Sequence, residues 1–165
     1  MPSILERHFI TIVALSLIFT SSCTRNVKEM KLVNANAKFK LIIAGDSSEY
    51  KDAIREDLIS RYKEKAGIEV MNIEYLDTIS EDSYDVILIM DTCMAWGAFN
   101  PTVNRYLENA GNKDKIVLFM TAGDPELEYS HEGVDAISSA SIIENKDEIV
   151  ASLSERIDAI ASGMN

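Results

Sequence analysis

Two cysteines and two histidines are all that this 165-residue chain contains, and that scarcity removes several kinds of chemistry at once. There is no Cys-x-x-Cys pair and no paired-histidine spacing, so a structural zinc site has no ligand set to draw on. No Gly-x-Ser-x-Gly elbow and no Cys–His pair offers a nucleophile with its base. Positive charge is also short, with 16 Lys and Arg against 27 Asp and Glu and a net charge of −11. Nucleic acid is therefore not an expected partner, and neither is electrostatic docking to an anionic bilayer. The acid is spread along the chain and not gathered into a tail, as in an ordinary solvated surface. No repeat and no low-complexity run is present.

What is there begins with an apolar run, Phe9 to Phe19, too short to cross a bilayer, which takes about 20 residues. Arg7 precedes it and the small residues Ser21 and Ser22 follow, the pattern of a secretory signal peptide. Cys23 comes next. Thr20-Ser21-Ser22-Cys23 resembles the lipobox of bacterial lipoproteins, with Thr20 where Leu is usual. The resemblance implies that residues 1–22 are removed and that Cys23 is acylated with palmitate-like chains. The mature protein would then be attached to a membrane through the Cys23 lipid, on the extracytoplasmic side of the cell envelope. In a Gram-negative host, Thr24 in place of Asp implies the outer membrane. Cys93 is left without a partner for an intramolecular disulfide and reads as a small buried hydrophobe at a strand end. Residues 23–37 are polar and without sustained periodicity, and are expected to form a flexible tether. Residues 38–163, about 125 in all, are one domain's worth of chain.

Within that domain the clearest pattern lies between Tyr84 and Asp124. Val86-Ile87-Leu88-Ile89-Met90 and Ile116 to Met120 are near-continuous apolar runs, as in strands buried on both faces. Between them, Asn100 caps a helix with Pro101 in its first turn, Val103, Tyr106, Leu107 and Ala110 facing the sheet and Gly111 ending it. That is a parallel crossover unit. Before it stand a strand (Phe39 to Ala44), a helix over about 48–66 and a strand with partial alternation (Ile68 to Tyr75). The helix carries an apolar stripe of Tyr50, Ala53, Ile54, Leu58 and Tyr62, and Gly67 supplies its stop. After the central unit come a charged stretch, Pro125 to Gly133, too short for an ordinary helix, and a short strand from Val134 to Ile137. A last helix over about 145–162 starts at a capping-box-like Asn145-Lys146-Asp147-Glu148. The order predicts an α/β fold: an open parallel five-stranded sheet in the order 2-1-3-4-5, with helices on both faces.

In such sheets ligands sit at the carboxyl ends of the strands. Three segments meet there: Gly45 to Ser48, Asp91 to Asn100, and Thr121 to Pro125. Trp96-Gly97-Ala98-Phe99-Asn100-Pro101-Thr102-Val103, with Arg105-Tyr106-Leu107-Glu108, resembles the flavodoxin family, and Lys115 to Gly123 resembles its fourth strand. The resemblance implies candidate contacts to an FMN or another ligand at Ser47, Ser48, Thr92, Met94, Ala95, Trp96, Gly97, Thr121, Ala122 and Gly123. Trp96 reads equally as a loop anchor and as a ligand contact. The first loop departs from the family. Flavodoxins cradle the flavin phosphate with a hydroxyl-rich T-x-T-G-N-T loop at a helix N-terminus, whereas this chain has Ala44-Gly45-Asp46-Ser47-Ser48-Glu49. Carboxylates at Asp46 and Glu49 repel a phosphate dianion. FMN is therefore not expected, and the favoured reading is a non-catalytic binding or interaction domain. The alternative is an FMN-binding electron carrier or flavin reductase. Asp46, Asp91 and Thr121-Ala122 also resemble the acidic site of response-regulator receiver domains. The paired acid after the first strand and the Lys ending the fifth are missing, so a working receiver is not expected. Asp46, Asp91 and Asp124 read as loop and cap carboxylates in preference to a metal site.

Overall fold

The computed structural model describes residues 25–93, 100–123 and 129–163. In chain order its strands are β1 (Arg25–Asn26), β2 (Met30–Leu32), β3 (Phe39–Ser47), β4 (Ala66–Asn72), β5 (Val86–Thr92), β6 (Ile116–Ala122) and β7 (Asp135–Ala140). Its α-helices are α1 (Glu49–Tyr62), α2 (Pro101–Asn109) and α3 (Lys146–Ala161). Five strands lie parallel in the order β4-β3-β5-β6-β7, which is the 2-1-3-4-5 flavodoxin-like order expected from the sequence.

The central strands explain why. Side chains on a strand alternate between faces, so a run that is apolar throughout feeds two cores at once. Leu41, Ile43, Leu88, Met90, Val117 and Phe119 pack on one face with Ile54 and Leu58 of α1 and Leu153 and Ile157 of α3. Ile42, Ala44, Ile87, Ile89, Leu118 and Met120 pack on the other with Val103, Tyr106 and Leu107 of α2. Ile73 and Leu76 join that second core from a 3-10 turn over Ile73–Thr78. Burying these two residues ends the strand that the sequence placed as far as Tyr75, so β4 stops at Asn72. Gly67 lies inside β4 and is not the stop of α1, which finishes at Tyr62.

Helix starts follow local chemistry. The Ser48 hydroxyl accepts from the Lys51 N–H at 3.2 Å, and the Asn100 side chain accepts from the Thr102 N–H at 2.9 Å, with Pro101 in the first turn. Each satisfies a backbone donor that a helix start leaves open. The capping box expected at Asn145 is not made. A 3-10 turn, Ile143–Asn145, leads into α3, and Asn145 makes no side-chain cap bond.

The largest departure is at the start. Residues 23–37 read as a flexible tether, yet β1 pairs antiparallel with the end of β3 (Arg25↔Ser47, Asn26↔Asp46). β2 pairs antiparallel with β4 (Met30↔Val70, Lys31↔Glu69, Leu32↔Ile68). An edge strand carries a row of open backbone donors and acceptors, and this segment satisfies them on β4. Val27 between the two strands is buried, and its N–H donates to the Asn72 side-chain oxygen at 2.7 Å. The Asn72 amide in turn donates to Glu29 at 2.8 Å. The domain therefore begins at least as early as Arg25, not at residue 38. At the other end of the sheet, Tyr129, Val134 and Ala136 pack against the second core. His131 and Val134 close a turn through Gly133, whose φ of 75° is a conformation L side chains rarely adopt.

Candidate functional site

The carboxyl ends of β3, β5 and β6 meet as expected, but the first loop does not exist. β3 continues through Gly45 and Asp46 to Ser47, Ser48 caps α1, and Glu49 is already helical. Gly45 allows this. A side chain there would put its Cβ 2.7 Å from the Met90 carbonyl oxygen and 3.0 Å from the Met90 Cβ, so only glycine lets β3 and β5 pair so closely this near their ends.

Into the space where the strands end reaches Lys51, from the first turn of α1. Its side chain has no solvent exposure at all. The ammonium is bonded to the Asp46 carboxylate and donates to the Thr92 hydroxyl. That hydroxyl in turn donates to the second Asp46 oxygen at 3.1 Å, closing a ring of three side chains. Thr121 extends the network from β6, 3.3 Å from the Thr92 hydroxyl and 3.3 Å from the Asp91 carbonyl. Asp91 is buried beside them, and its carboxylate accepts from the backbone N–H groups of Thr92 at 2.8 Å and Asn100 at 3.2 Å. On the outer side, the guanidinium of Arg55 donates to the Asp46 carbonyl at 2.8 Å and to the Asp52 carboxylate.

Burial sets the protonation behaviour. Desolvation lowers the pKa of Lys51, opposed by the Asp46 carboxylate. Desolvation raises that of Asp91, opposed by its two backbone donors. Both shifts follow from low-dielectric surroundings disfavouring charge. A buried ion pair of this kind does little for net stability, but removing one partner strands the other.

The flavin reading can be tested on these atoms. Ser47 donates its hydroxyl to Asp52 at 2.5 Å, and Ser48 is occupied as the helix cap. The N–H of Asp52 goes to the Ser48 carbonyl at 2.8 Å. Glu49 and Asp52 put negative charge in the first turn of α1, and Lys51 in the same turn is neutralised by Asp46. A phosphate dianion does not fit this donor set. Among the described residues no group of three or more His, Cys, Asp or Glu is arranged to hold a metal ion, and no helix is long and apolar enough to cross a membrane.

Of the residues singled out from the sequence, Ser47, Ser48, Thr92, Thr121 and Ala122 come together at this edge, with Gly123 exposed just beyond β6. Cys93 follows Thr92, and its thiol accepts from the Tyr129 hydroxyl at 2.5 Å. Met94, Ala95, Trp96 and Gly97, together with Cys23 and Asp124, lie outside the described residues. Lys51 and Arg55 were missed. The signal was present: counted from Tyr62, the buried stripe of α1 runs Leu58, Arg55, Ile54 and Lys51. The apolar stripe anticipated Tyr50, Ile54, Leu58 and Tyr62 but placed Ala53, only half-buried, where Lys51 and Arg55 lie. Two charged residues on a buried helix face point to a polar partner beneath it.

No protein-family model matches the chain, and no curated protein matches it. Among solved structures it is similar to oxidised flavodoxin 1 from Bacillus cereus, with 12% identity over 72% of this chain and 97% of that one and a TM-score of 0.47. It is also similar to oxidised flavodoxin 2 from the same organism, with 14% identity over the same shares and a TM-score of 0.48.

Proposed function

We propose that this protein is a lipid-anchored, extracytoplasmic envelope protein whose flavodoxin-like domain acts by binding or interaction, without FMN and without catalysis. The observation that carries this reading is the closed Lys51–Asp46–Thr92 ring at the carboxyl ends of the strands. Among the described residues, the side chains of Asp46, Ser47, Ser48, Lys51, Thr92 and Thr121 at this edge are already hydrogen-bonded within the protein. A flavin phosphate would have to break the Ser48 cap and face Glu49. A like charge about 5 Å away costs on the order of 3 kcal/mol at an effective dielectric near 20, about two decades of affinity.

Titration of FMN into the soluble domain, followed by quenching of flavin fluorescence, tests the cofactor half. No saturable quenching is expected at low micromolar FMN. Saturable quenching that Trp96→Ala abolishes would put the electron carrier or flavin reductase in its place. The anchor half is tested by labelled palmitate, which is expected to enter the native chain and not Cys23→Ser. Equal labelling of both would reject it. Thr24 after the cysteine supports delivery to the outer membrane in a Gram-negative cell.

A further inference from the structure

We propose that the carboxyl edge of the sheet is the membrane-facing surface of this protein, held against the lipid headgroups by the two-residue leash from Cys23 to Arg25. The inference rests on the lipid-anchor reading above and adds a direction to it. A tether over residues 23–37 would let the domain tumble up to about 50 Å from the bilayer, at about 3.5 Å per residue. That slack is not available. Arg25 is already hydrogen-bonded into the sheet, opposite Ser47 at the last position of β3. From Cys23 to Arg25 the backbone reaches at most about 7 Å.

The register decides which end is pinned. β3 is nine residues long, so its amino end at Phe39 stands about 26 Å behind its carboxyl end at about 3.3 Å per residue. Parallel pairing brings the ends of β5 and β6 to the same side as Ser47. The leash therefore holds close to the bilayer the edge that carries Ser47, Ser48, Thr92 and Thr121, and holds the edge with Phe39, Ala66, Val86 and Ile116 away from it.

Charge is not what holds this edge in place. Asp46 is matched by Lys51 and Asp52 by Arg55, while Lys28 and Glu49 are both exposed with opposite signs, so the orientation rests on the length of the leash. The occupant of this side is the lipid headgroup layer, kept there by the short attachment and not by charge, and whatever reaches the carboxyl edge must arrive along the membrane plane.

The test uses the full lipidated chain in vesicles of phosphatidylethanolamine and phosphatidylglycerol that carry a headgroup nitroxide. α1 supplies an internal ruler. Glu49 and Arg61 are both exposed and lie about 18 Å apart along the helix, at about 1.5 Å per residue. A fluorophore is placed at Glu49→Cys or Arg61→Cys in a Cys93→Ser background, with Ser141→Cys as a second carboxyl-edge position. Quenching is expected to be several-fold stronger at positions 49 and 141 than at 61. Twelve Gly and Ser residues inserted between Thr24 and Arg25 are expected to even it out. Equal quenching at all three without the insertion, or stronger quenching at 61, in protein that floats with the vesicles overturns the orientation and leaves the anchor standing. Protein that does not float, with Cys23→Ser behaving identically, overturns both.

Discussion

Lys51 and Asp46 face each other across five residues of chain, one in the first turn of α1 and the other near the end of β3, and each is the other's ionic partner. Both side chains are out of water, and the pair is completed by Thr92 from a third element. Among the described residues, the ends of β3 and β5 are therefore bridged by the protein's own charges. Replacing Lys51 with Ala leaves a buried carboxylate without its counter-charge. The expected loss is about 3 to 5 kcal/mol of unfolding free energy, read from urea denaturation. The double variant Lys51→Met/Asp46→Asn removes both charges and is expected to recover most of it. A single variant within about 1 kcal/mol of the native protein would contradict the geometry.

Asp91 gives a pH signature. Its carboxyl titrates above the ordinary value of 3.8 because burial disfavours the anion. The folded chain thus holds this proton more tightly than the unfolded one. Its contribution to stability is fully present below 3.8, falls as pH rises from 3.8 to the folded pKa, and is level above that. Asp91→Asn lacks the fall. The stability difference between the Asp91→Asn variant and the native protein is expected to move in favour of the variant across this acid window and then flatten. A difference that stays constant from about pH 3.5 to 7 would show that Asp91 is not desolvated.

Gly45 and Gly123 make a paired test. A methyl group at Gly45 meets the Met90 carbonyl, whereas at Gly123 nothing lies within 4 Å. Gly45→Ala is expected to cost about 1 to 3 kcal/mol through overpacking, and Gly123→Ala less than about 0.5 kcal/mol, as for an open surface site. Thermal denaturation of the two variants side by side decides it. Equal melting temperatures would mean that β3 and β5 do not approach as described.

Asn72 holds the N-terminal strap. Asn72→Leu leaves the buried Val27 N–H without an acceptor, at a cost of about 1 to 3 kcal/mol. A chain starting at Lys38 lacks the strap altogether and exposes the edge of β4. It is expected to unfold at lower urea and to self-associate on gel filtration, because an open strand edge templates pairing. A monomeric chain of unchanged stability would place the domain boundary at residue 38 after all.

The core of the fold was legible because its signal is long. Val86 to Met90 and Ile116 to Met120 are apolar on both faces, and such runs have few other places to go. The strap was not legible, because β2 is three residues long and its alternation, Met30-Lys31-Leu32, is too brief to rise above a polar segment. The site was half legible. Ser47, Ser48, Thr92 and Thr121 lie in the three segments that topology brings to one edge, since strand ends converge whatever their side chains, and the family resemblance singled them out within those segments. Lys51 was hidden because surface lysine is the default on a helix, and only Asp46 beneath it makes its burial tolerable. Both positions are visible in the sequence, but their pairing exists only once α1 has been laid on β3.

The strap also orders events in time. Met30 pairs with Val70 and Val27 with Asn72, partners some forty residues further along the chain. Contacts of such separation close only after the intervening loop entropy has been met. The β2 half of the strap is thus expected to settle only after β3, α1 and β4 have paired, whereas β1, whose partners on β3 lie 20 to 22 residues further on, can join the sheet earlier. Val27, between the two, is then the last residue of this segment to be pinned, when its N–H finds Asn72.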